Sequence, residues 1–534
     1  MLLGHWIEMR SVMGASNALD ELIKLMPETA HRINEDGENE EVPVKQLQAG
    51  DRVLVKPGEK IPIDGIVYDG SSEVNESMVT GESVPVRKEK GDEIIGGSIN
   101  GEGILRFEVE KVGEDTFLSQ VIRMVQQAQE SKSKTQRLAD LAAKWLFYIA
   151  VSVGTITFVA WILAGRELSF AVERAVTVII ISCPHALGLA MPLVTAVSTS
   201  IGAKKGLLIR DRGAFENARK IDAVVFDKTG TLTEGQFGVT DMKEVGVSRE
   251  ELLTIAYSVE ANSEHPIAKG IIKQAEDRGL QAKEVKDYQN LTGRGLQAML
   301  DGEKIEIASP GYVREKGIDF DEDHYEGLAR EGKTVVFVLR EEELIGSIAL
   351  SDMVRDTARE AVQTLKSMGI ESIMLTGDNE RVASYVGKQL GMETVIAEVL
   401  PQEKSQKIEA LQKEGKKIAM TGDGVNDAPS LAMADLGIAI GAGTDVAIET
   451  ADVILVKSNP LDVVNIIKLS KATYGKMIQN LIWATGYNVI ALPLAAGILY
   501  EQGVVISPAL GAVLMSLSTV IVSINARFLK IDDR

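Results

Sequence analysis

Long, mostly apolar stretches alternate with polar regions along this chain. The four apolar stretches cover residues 142–164, 175–196, 477–500 and 504–526. A helix needs roughly 20 residues to cross a bilayer, and each stretch reaches that length with almost no charge. The pattern therefore predicts four membrane-spanning helices rather than buried helices of a soluble core. An even number of spans places the long polar regions on one side of the membrane.

Basic residues flank the first two stretches next to these polar regions. They are Arg137, Lys144, Lys204, Lys205, Arg210 and Arg212. Because cytoplasmic segments carry an excess of Lys and Arg, the polar regions are predicted to be cytoplasmic. We expect a multi-pass protein of the cell (plasma) membrane whose catalytic domains face the cytoplasm.

The polar regions contain patterns of both helix and strand. An apolar stripe predicts a helix over residues 1–31, and alternating runs predict a small β domain over 42–112. Residues 239–340 form a mixed α+β segment. Around it, strands 223–226, 373–375 and 418–420 alternate with helices 358–368, 380–390 and 404–412, which predicts a parallel sheet with helices on both faces.

Length and composition narrow the class of protein. The 534 residues are too many for one core, and the formal net charge is −20. A chain this acidic is unsuited to nucleic acid, whose binding depends on Lys and Arg contacts to phosphate. A single cysteine, Cys183, excludes an intrachain disulfide and suits a reducing cytosol.

Acidic loops follow three of the predicted parallel strands. The strands lead into Asp227, into Thr376 to Asp378, and into Asp423 to Asp427. Parallel sheets bind ligands at the carboxyl ends of their strands, and Mg²⁺ prefers oxygen ligands together with phosphate oxygens. The three loops therefore predict a magnesium site at one sheet edge, with Lys404 supplying positive charge to a transferring phosphoryl group.

The sequence strings of these loops, DKTGT, TGD and GDGVNDAP in this order, resemble those of the P-type ATPases within the haloacid-dehalogenase-like phosphotransferases. The resemblance implies that Asp227 is the nucleophile that accepts phosphate from ATP and that Asp227, Thr229 and Asp423 hold Mg²⁺. A carboxylate nucleophile divides the transfer into two steps, and the acyl phosphate between them can be tied to a change of shape. The remaining catalytic candidates are Lys228, Thr376, Asp378, Lys404, Asn426 and Asp427.

The resemblance also implies functions for two further motifs. Thr80-Gly81-Glu82-Ser83, in the β domain, is similar to the actuator loop of P-type ATPases, which implies that Glu82 orients the water that hydrolyses the aspartyl phosphate. The α+β insertion carries SEHP and GRG strings, similar to the nucleotide domain of heavy-metal pumps. There Glu260, His265, Gly293 and Gly295 are implied to hold the adenine and ribose of ATP.

The second apolar stretch contains Cys183-Pro184-His185 near its middle. Side chains two positions apart point in nearly opposite directions on a regular helix, so one ion could not meet both Cys183 and His185 there. Pro184 cannot donate to the carbonyl of Ile180, and Pro192 likewise cannot donate to that of Gly188. These prolines predict a broken helix, and a thiol beside an imidazole favours soft or borderline transition metals.

The last two stretches supply candidate partners for the transported ion, namely Tyr487, Asn488, Met515 and Ser518. Their hydroxyl groups serve equally well in helix packing, whereas the Met515 thioether suits copper. The CPH, GYN and MSLST strings together resemble the CPH subgroup of heavy-metal pumps, which export copper and silver. Whether the cargo is Cu⁺, Cu²⁺ or Ag⁺ stays open, as does another divalent metal such as Zn or Co.

The expected architecture is a multidomain α+β membrane protein. It has a β-rich actuator domain, a haloacid-dehalogenase-like α/β phosphorylation domain with an α+β nucleotide-binding insertion, and transmembrane helices. The expected divisions are a membrane-helix remnant with a helical extension (1–31), the actuator (32–135), two spans with CPH (136–200), the phosphorylation domain (201–236 and 341–470), the insertion (237–340) and two spans (471–534).

Such pumps usually have eight spans, so the sequence is interpreted as an N-terminally truncated form. Expected partners are the bilayer, ATP and a transition-metal ion delivered by a metal chaperone, with no nucleic acid. The alternative from another class is a membrane-tethered phosphatase or regulatory remnant that does not transport.

Overall fold

The computed structural model describes residue 27 and residues 29–34, 37–76, 85–130, 134–183, 185–263, 265–291, 294–423, 427–441 and 450–531. Two compact units are present. One comprises Met1–Lys220, Ala451–Lys457 and Asn465–Arg534, and the other comprises Ile221–Thr450 and Ser458–Val464. The membrane helices lie in the first unit and the sheet that carries Asp227 lies in the second.

The first unit begins with a β domain followed by a helix. The elements are β1 (Thr29–Ile33), β2 (Asn39–Pro43), β3 (Arg52–Val55), β4 (Gly65–Gly70), β5 (Ser72–Asn75), β6 (Val86–Lys88), β7 (Glu93–Ile94), β8 (Ile99–Asn100), β9 (Leu105–Val109) and α1 (Phe117–Glu130). Six strands form one sheet in the order β2-β1-β3-β9-β4-β7, and three form another in the order β6-β5-β8. The buried side chains Val53, Val67 and Phe107 belong to its core.

The predicted helix over residues 1–31 is wrong at its end. Thr29 to His31 belong to strand β1, where His31 pairs with Glu41 of β2 and its Nε2 lies 3.3 Å from Glu59 Oε1. Residues 1–26 lie outside the described part of the chain. The β domain therefore starts earlier than the predicted boundary at residue 32.

The first membrane helices follow this domain. They are α2 (Lys134–Leu163), α3 (Leu168–Ile181) and α4 (His185–Lys204), followed by β10 (Leu207–Ile209) and the short α5 (Arg212–Asn217). Helices α2 and α3 approach closely, because a Cβ on Gly154 would lie 2.9 Å from Ile179 Cγ1. Glycine at such a contact is typical of helix packing within a membrane.

The second unit begins with β11 (Ala223–Asp227), which is followed by an α+β insertion. Its elements are β12 (Thr233–Glu244), α6 (Arg249–Glu260), α7 (Pro266–Glu276), β13 (Val285–Leu291), β14 (Gly295–Leu300), β15 (Glu303–Ala308), α8 (Pro310–Glu315), α9 (Glu322–Arg330), β16 (Thr334–Arg340) and β17 (Glu343–Val354). The six strands form an antiparallel sheet in the order β12-β17-β16-β15-β14-β13. Neighbouring residues of β16 point into two different hydrophobic cores. Val338 packs with helices α6 and α7, and Phe337 packs with helices α8 and α9, so helices cover both faces of this sheet.

The chain then returns to the sheet that contains β11. The elements are α10 (Asp356–Ser367), β18 (Glu371–Leu375), α11 (Glu380–Leu390), β19 (Thr394–Ile396), α12 (Lys404–Lys413), β20 (Ile418–Gly422), α13 (Ala428–Met433) and β21 (Leu436–Ile440). Within this unit the parallel strands run in the order β21-β20-β11-β18-β19. Ala223, Val224, Val225 and Phe226 of the central strand are fully buried, as expected for a parallel strand covered on both faces.

The chain ends with β22 (Val453–Leu455), α14 (Leu461–Ala496) and α15 (Pro508–Arg527). In the described residues, three helical stretches are long and apolar enough to cross a membrane, namely Thr135–Leu163, Leu168–Lys204 and Pro508–Arg527. The predicted span over 477–500 is not among them. It lies largely in α14, a helix of 36 residues that carries the polar side chains of Gln479, Asn480 and Asn488.

Candidate functional site

The three acidic loops begin side by side because of the strand order. Strand β11 pairs in parallel with β18 on one side and β20 on the other, with Asp227 opposite Leu375 and Phe226 opposite Thr421. Each neighbouring strand ends within two residues of that level, so the loops that follow them lie next to Asp227. The sheet edge predicted from the sequence is thus formed by the register of three strands.

Lys404 lies at the centre of this edge. Its Nζ is 2.6 Å from Asp227 Oδ1 and 2.6 Å from Asp427 Oδ1, and all three side chains are buried. Burial and then the charge of Asp427 raise the pKa of Asp227 to about 7, although Lys404 opposes them. Burial also raises the pKa of Asp427. Burial lowers the pKa of Lys404, but the two carboxylates outweigh it and the pKa is raised. Lys404 is therefore held as a cation between the two carboxylates.

A second cation, Lys228, follows Asp227 directly. Its Nζ lies 2.6 Å from Asp378 Oδ2 and 3.7 Å from Asp352 Oδ2. Thr376 is buried at the end of β18, and its hydroxyl accepts a hydrogen bond of 3.1 Å from the N–H of Asp378. Lys228, Thr376 and Asp378, three of the predicted catalytic residues, are thus brought together.

Sequence reasoning missed Asp352 and Arg355. The carboxylate of Asp352 accepts from the Thr233 hydroxyl (2.6 Å) and from the N–H of Gly235 (3.0 Å), and burial raises its pKa. Arg355 donates from Nη2 to the carbonyl of Gly230 at 3.0 Å. Both residues fix the loop after Asp227 from the far end of the insertion. The only signal in the sequence was a charged SDMVRD string where the apolar strand β17 ends.

The residues present fit a magnesium ion that also binds phosphate. Gly230 has φ 74°, and a Cβ at this position would lie 3.5 Å from Asp423 Oδ2, so the loop turns closely around that carboxylate. The Asp423 charge is close enough to raise the pKa of Asp227. Among the described residues no group of three or more His, Cys, Asp and Glu side chains is placed to hold a metal. Two carboxylates that leave further positions to phosphate oxygens suit Mg²⁺. Thr229 lies between Asp227 and Gly230, and Asn426 lies outside the described residues.

The nucleotide candidates lie in the insertion. Glu260 ends α6 and is 4% exposed, and its Oε2 has no hydrogen-bond partner among the described residues. Burial raises the pKa of Glu260 to about 7. His265 caps α7, and its Nδ1 accepts from the N–H of Ile267 at 3.3 Å. A buried carboxylate oxygen without a partner fits a ligand that donates a hydrogen bond, as an adenine amino group does.

Gly295 opens β14, the strand against which α6 packs. Its φ is 131°, and a Cβ there would lie 1.9 Å from the carbonyl oxygen of Ile307. Only glycine fits this close approach of two strands. The other predicted glycine, Gly293, lies outside the described residues.

A cavity of about 710 Å³ lies beside Lys228 within the same unit. Asp352 and Asp378 line one part of it, and Lys333 of the insertion, which is paired with Asp241 at 2.7 Å, lines another. Of the described lining residues, none is a predicted nucleotide residue. The predicted catalytic residues at the sheet edge and the predicted nucleotide residues on helices α6 and α7 therefore form two separate groups. A single ligand that contacts both groups must be extended.

The predicted break in the second apolar stretch is present. Helix α3 ends at Ile181 and α4 begins at His185. The Ile180 carbonyl, which Pro184 cannot serve, accepts instead from the N–H of Cys183 at 3.3 Å. Cys183 is a partly exposed free thiol, whereas the His185 side chain lies outside the described part of the structure. Pro192 produces no second break, because α4 continues through it.

Of the candidate ligands on α14 and α15, Tyr487 contacts this break. The Tyr487 hydroxyl donates to the Ile181 carbonyl at 3.3 Å, and it lies within electrostatic reach of the Cys183 thiol. Asn488 is 4% exposed, and its Oδ1 has no partner among the described residues. Met515 is buried, and the Ser518 hydroxyl donates to the Trp483 carbonyl at 3.1 Å. Tyr487 is thus near the thiol, while Ser518 bonds to helix α14.

Family models match the phosphorylation region and the β domain. Residues 221–435 match the family model of haloacid dehalogenase-like hydrolases, and residues 24–126 match that of the P-type ATPase actuator domain. The second match places Glu82, which lies outside the described residues, within an actuator-like segment.

Similar proteins of known name extend the match to nearly the whole chain. Copper-exporting P-type ATPase B of Archaeoglobus fulgidus is 59% identical over 99% of this chain and 76% of that protein. The protein of the same name from Enterococcus hirae is 46% identical over 99% of this chain and 71% of that protein. A crystal structure of a zinc-transporting PIB-type ATPase in the E2.Pi state matches with a TM-score of 0.64 at 32% identity, covering 99% of this chain and 86% of that one. The chain belongs to the P-type ATPase family.

Proposed function

We propose that this chain is an ATP-driven exporter of copper, or silver, that works through an aspartyl phosphate at Asp227. The observation that carries the proposal is the position of the Asp227 carboxylate. It lies at the carboxyl edge of a parallel sheet, 2.6 Å from the Lys404 ammonium and next to Asp423. The 59% identity to a copper-exporting relative supports the cargo, and membrane helices on the same chain support transport.

The phosphoryl transfer uses the groups at this edge. A carboxylate oxygen of Asp227 attacks the γ-phosphorus of ATP, the bond to the bridging oxygen breaks, and ADP leaves with that oxygen. Lys404 and Lys228 place positive charge beside the phosphoryl oxygens, where such transfers gain most of their stabilisation. Asp227, Thr229 and Asp423 would hold Mg²⁺, which neutralises phosphate charge.

The remaining residues have supporting roles in this proposal. Thr376, Asp378, Asn426 and Asp427 order the lysines and the phosphoryl group. Glu260, His265, Gly293 and Gly295 bind the adenine and ribose, and Glu82 orients the water that hydrolyses the acyl phosphate. We retain the domain divisions given from the sequence, with the actuator extended at its start to include β1.

Copper would bind at the break between α3 and α4. Cys183 and His185 provide a thiolate and an imidazole, and Met515 provides a thioether, all of which suit copper. Tyr487, Asn488 and Ser518 complete the polar surroundings, with the unpaired Asn488 Oδ1 as the oxygen candidate. We place the protein in the cell membrane with cytoplasmic catalytic domains, and a metal chaperone as the donor.

Labelling with γ-labelled ATP tests the proposal. Wild-type protein given silver or copper should acquire acid-stable, hydroxylamine-labile label, and Asp227→Asn should acquire none, because an amide is not a nucleophile for this transfer. Label that persists in Asp227→Asn would exclude Asp227 as the acceptor. ATP-dependent metal uptake into inverted vesicles distinguishes a pump from a membrane-tethered phosphatase.

A zinc pump is the second candidate, favoured by the structural likeness to a zinc-transporting ATPase. A profile of ATP hydrolysis against Cu⁺, Cu²⁺, Ag⁺, Zn²⁺ and Co²⁺ separates the two. Stimulation by Zn²⁺ without stimulation by Cu⁺, Cu²⁺ or Ag⁺ would contradict copper export.

A further inference from the structure

A buried charged cluster lies in the segment between the membrane helices and strand β11. Helix α5 contains Arg212, which is 1% exposed, and Glu216, which is 5% exposed. Burial lowers the pKa of Arg212 to about 10, and the charge of Glu216 opposes this. Buried charges are costly unless they are paired, so a fully buried arginine outside the active site requires a reason.

Arg212 is attached to the helix that follows the break. Its Nη2 donates to the Ser198 hydroxyl at 2.5 Å, and Ser198 lies on α4, the helix that begins at His185. The guanidinium also stacks on Phe215 at 4.7 Å from the ring centroid. A displacement of α4 would therefore move Arg212 and with it the segment in which Arg212 lies.

The same segment also contacts helix α14. The N–H of Arg219 donates to the Ser470 hydroxyl at 3.2 Å, and its guanidinium lies 3.7 Å from the centroid of the Tyr474 ring. Ser470 and Tyr474 belong to α14, the helix that carries Tyr487 and Asn488. Residues 212–220 are thus hydrogen-bonded to two of the helices that bear candidate ligands, α4 and α14.

Part of this cluster has unused hydrogen-bonding capacity. Nε and Nη1 of Arg212, Oε1 of Glu216 and the hydroxyl of Thr199 are buried without partners among the described residues. Leaving buried donors and acceptors unpaired is unfavourable. A different position of α4 that allowed Arg212 to bond Glu216 directly would satisfy these unpaired atoms. The cluster would then have two alternative sets of hydrogen bonds, which a two-state element requires.

We propose that Arg212 is a positioning residue that couples metal occupancy at the break to the reactivity of Asp227. This inference rests on the proposed function. Movement of α4 on metal binding changes the Arg212–Ser198 contact, and the segment transmits the change along the chain. Strand β11 starts at Ala223, three residues after Lys220, and ends at Asp227. Along the chain, only Ile221 and Asp222 separate the segment from this strand.

Phosphorylation by labelled inorganic phosphate provides the test, because it needs Asp227 but not transport. In P-type pumps of the proposed kind, bound cargo should suppress this reverse reaction. We expect Arg212→Met to incorporate phosphate without metal as the wild type does, while saturating silver suppresses that incorporation at least about tenfold less than in the wild type. Silver binding to the same protein, measured by equilibrium dialysis, should be unchanged. Arg212→Lys, which keeps the charge and one donor direction, should recover part of the response.

Lys220→Met is the matched control, because it removes an exposed positive charge from the same segment. It should respond to silver as the wild type does. Ser198→Ala removes the acceptor of the Arg212 bond, together with a hydrogen bond of 2.9 Å to the Thr195 carbonyl within α4, and it should make saturating silver about fivefold less effective at suppression. This variant decides the question if Arg212→Met loses phosphorylation altogether.

The outcomes separate this inference from the proposed function. If the wild type incorporates no phosphate, or shows no silver response, the proposed function fails and the coupling role fails with it. If the wild type responds and saturating silver suppresses incorporation as strongly in Arg212→Met and Ser198→Ala as in the wild type, the coupling role of Arg212 is overturned while the pump remains. Reduced silver binding in Ser198→Ala would also overturn it, because Arg212 would then act on the metal site itself.

Discussion

The phosphorylation edge and the membrane break differ in how completely their polar groups are paired. At the edge, Lys404 bonds to Asp227 and Asp427, and Lys228 bonds to Asp378. At the break, the Cys183 thiol is free, and beside Tyr487 in the sequence of α14 the buried Asn488 Oδ1 has no partner among the described residues. The charged groups of the edge are paired with one another, whereas the break has potential ligand atoms that no described protein group bonds. Preorganised charge suits chemistry, and unused ligand atoms suit an ion that must enter and leave.

The largest expected effect comes from removing the cation at the edge. In Lys404→Met, the buried carboxylates of Asp227 and Asp427 would face each other without the ammonium that now separates them. We expect the rate of phosphoenzyme formation from ATP to fall by about 10²–10³-fold, the usual cost of losing one preorganised charge in an active site. Rapid-quench labelling measures it.

The matched control is Lys407→Met, because Lys407 is an exposed lysine on the same helix. This variant should label at the wild-type rate. A wild-type rate in Lys404→Met would mean that the edge is not preorganised by Lys404, and the contrast with the break would lose its basis.

The opposite behaviour is expected at the break. In Cys183→Ser, the soft thiolate is replaced by a hydroxyl that binds Cu⁺ and Ag⁺ poorly, so metal-stimulated ATP hydrolysis should fall by about 10–100-fold. Phosphorylation by inorganic phosphate in the absence of metal should persist, since the edge is intact. Ser182→Ala is the control, because the Ser182 hydroxyl donates to the Val178 carbonyl of α3. Equal loss of both reactions in Cys183→Ser would show that the two regions are not separable.

The edge could be predicted from the sequence because each acidic loop directly follows its strand along the chain. A fully buried strand leads into Asp227, two further strands lead into acidic loops, and parallel pairing brings strand ends together. Asp352 escaped notice because the insertion separates it from Asp227 along the chain, and only the fold returns it to the Thr233 hydroxyl.

The break was predictable for a different reason and less completely. Pro184 lacks the N–H that would serve the Ile180 carbonyl, so a break at this point follows from chemistry. The same argument applied to Pro192 was wrong, because neighbouring helices stabilise α4 through that residue. The contact of Tyr487 with the Ile181 carbonyl depends on the packing of α14 and has no signature in the sequence.

A moderate effect is expected in the insertion, where strands β14 and β15 approach each other closely at Gly295. In Gly295→Ala, the new Cβ would meet the Ile307 carbonyl at 1.9 Å on a backbone with φ 131°. We expect the insertion to be destabilised by at least about 2 kcal/mol and ATP affinity to fall. Nucleotide titration and limited proteolysis measure the two effects.

Gly311→Ala is the matched control, because no atom lies within 4 Å of a Cβ at that position. It should leave ATP affinity and protease resistance unchanged. If Gly295→Ala also leaves them unchanged, the close approach of β14 and β15 has no importance for the insertion.

The smallest expected effect concerns Glu260. It tests whether the insertion, like the break, contains an unpaired polar atom that can bind a ligand. Glu260 is a buried carboxylate whose Oε2 is unpaired among the described residues, and burial raises its pKa to about 7. A carboxyl whose folded pKa lies above its unfolded value of about 4.3 binds more protons in the folded state, so stability is lost as the pH rises from about 4.3 through 7. Glu260→Gln carries no charge and avoids this loss. Without nucleotide, the variant should therefore exceed the wild type in stability at pH 8 and match it at pH 4. Hydrogen exchange of the α6 amides, compared between the two proteins at each pH, measures the difference. A stability difference that stays constant across that pH range would mean that Glu260 ionises normally. The unpaired Oε2 would then give no support to Glu260 as a nucleotide ligand.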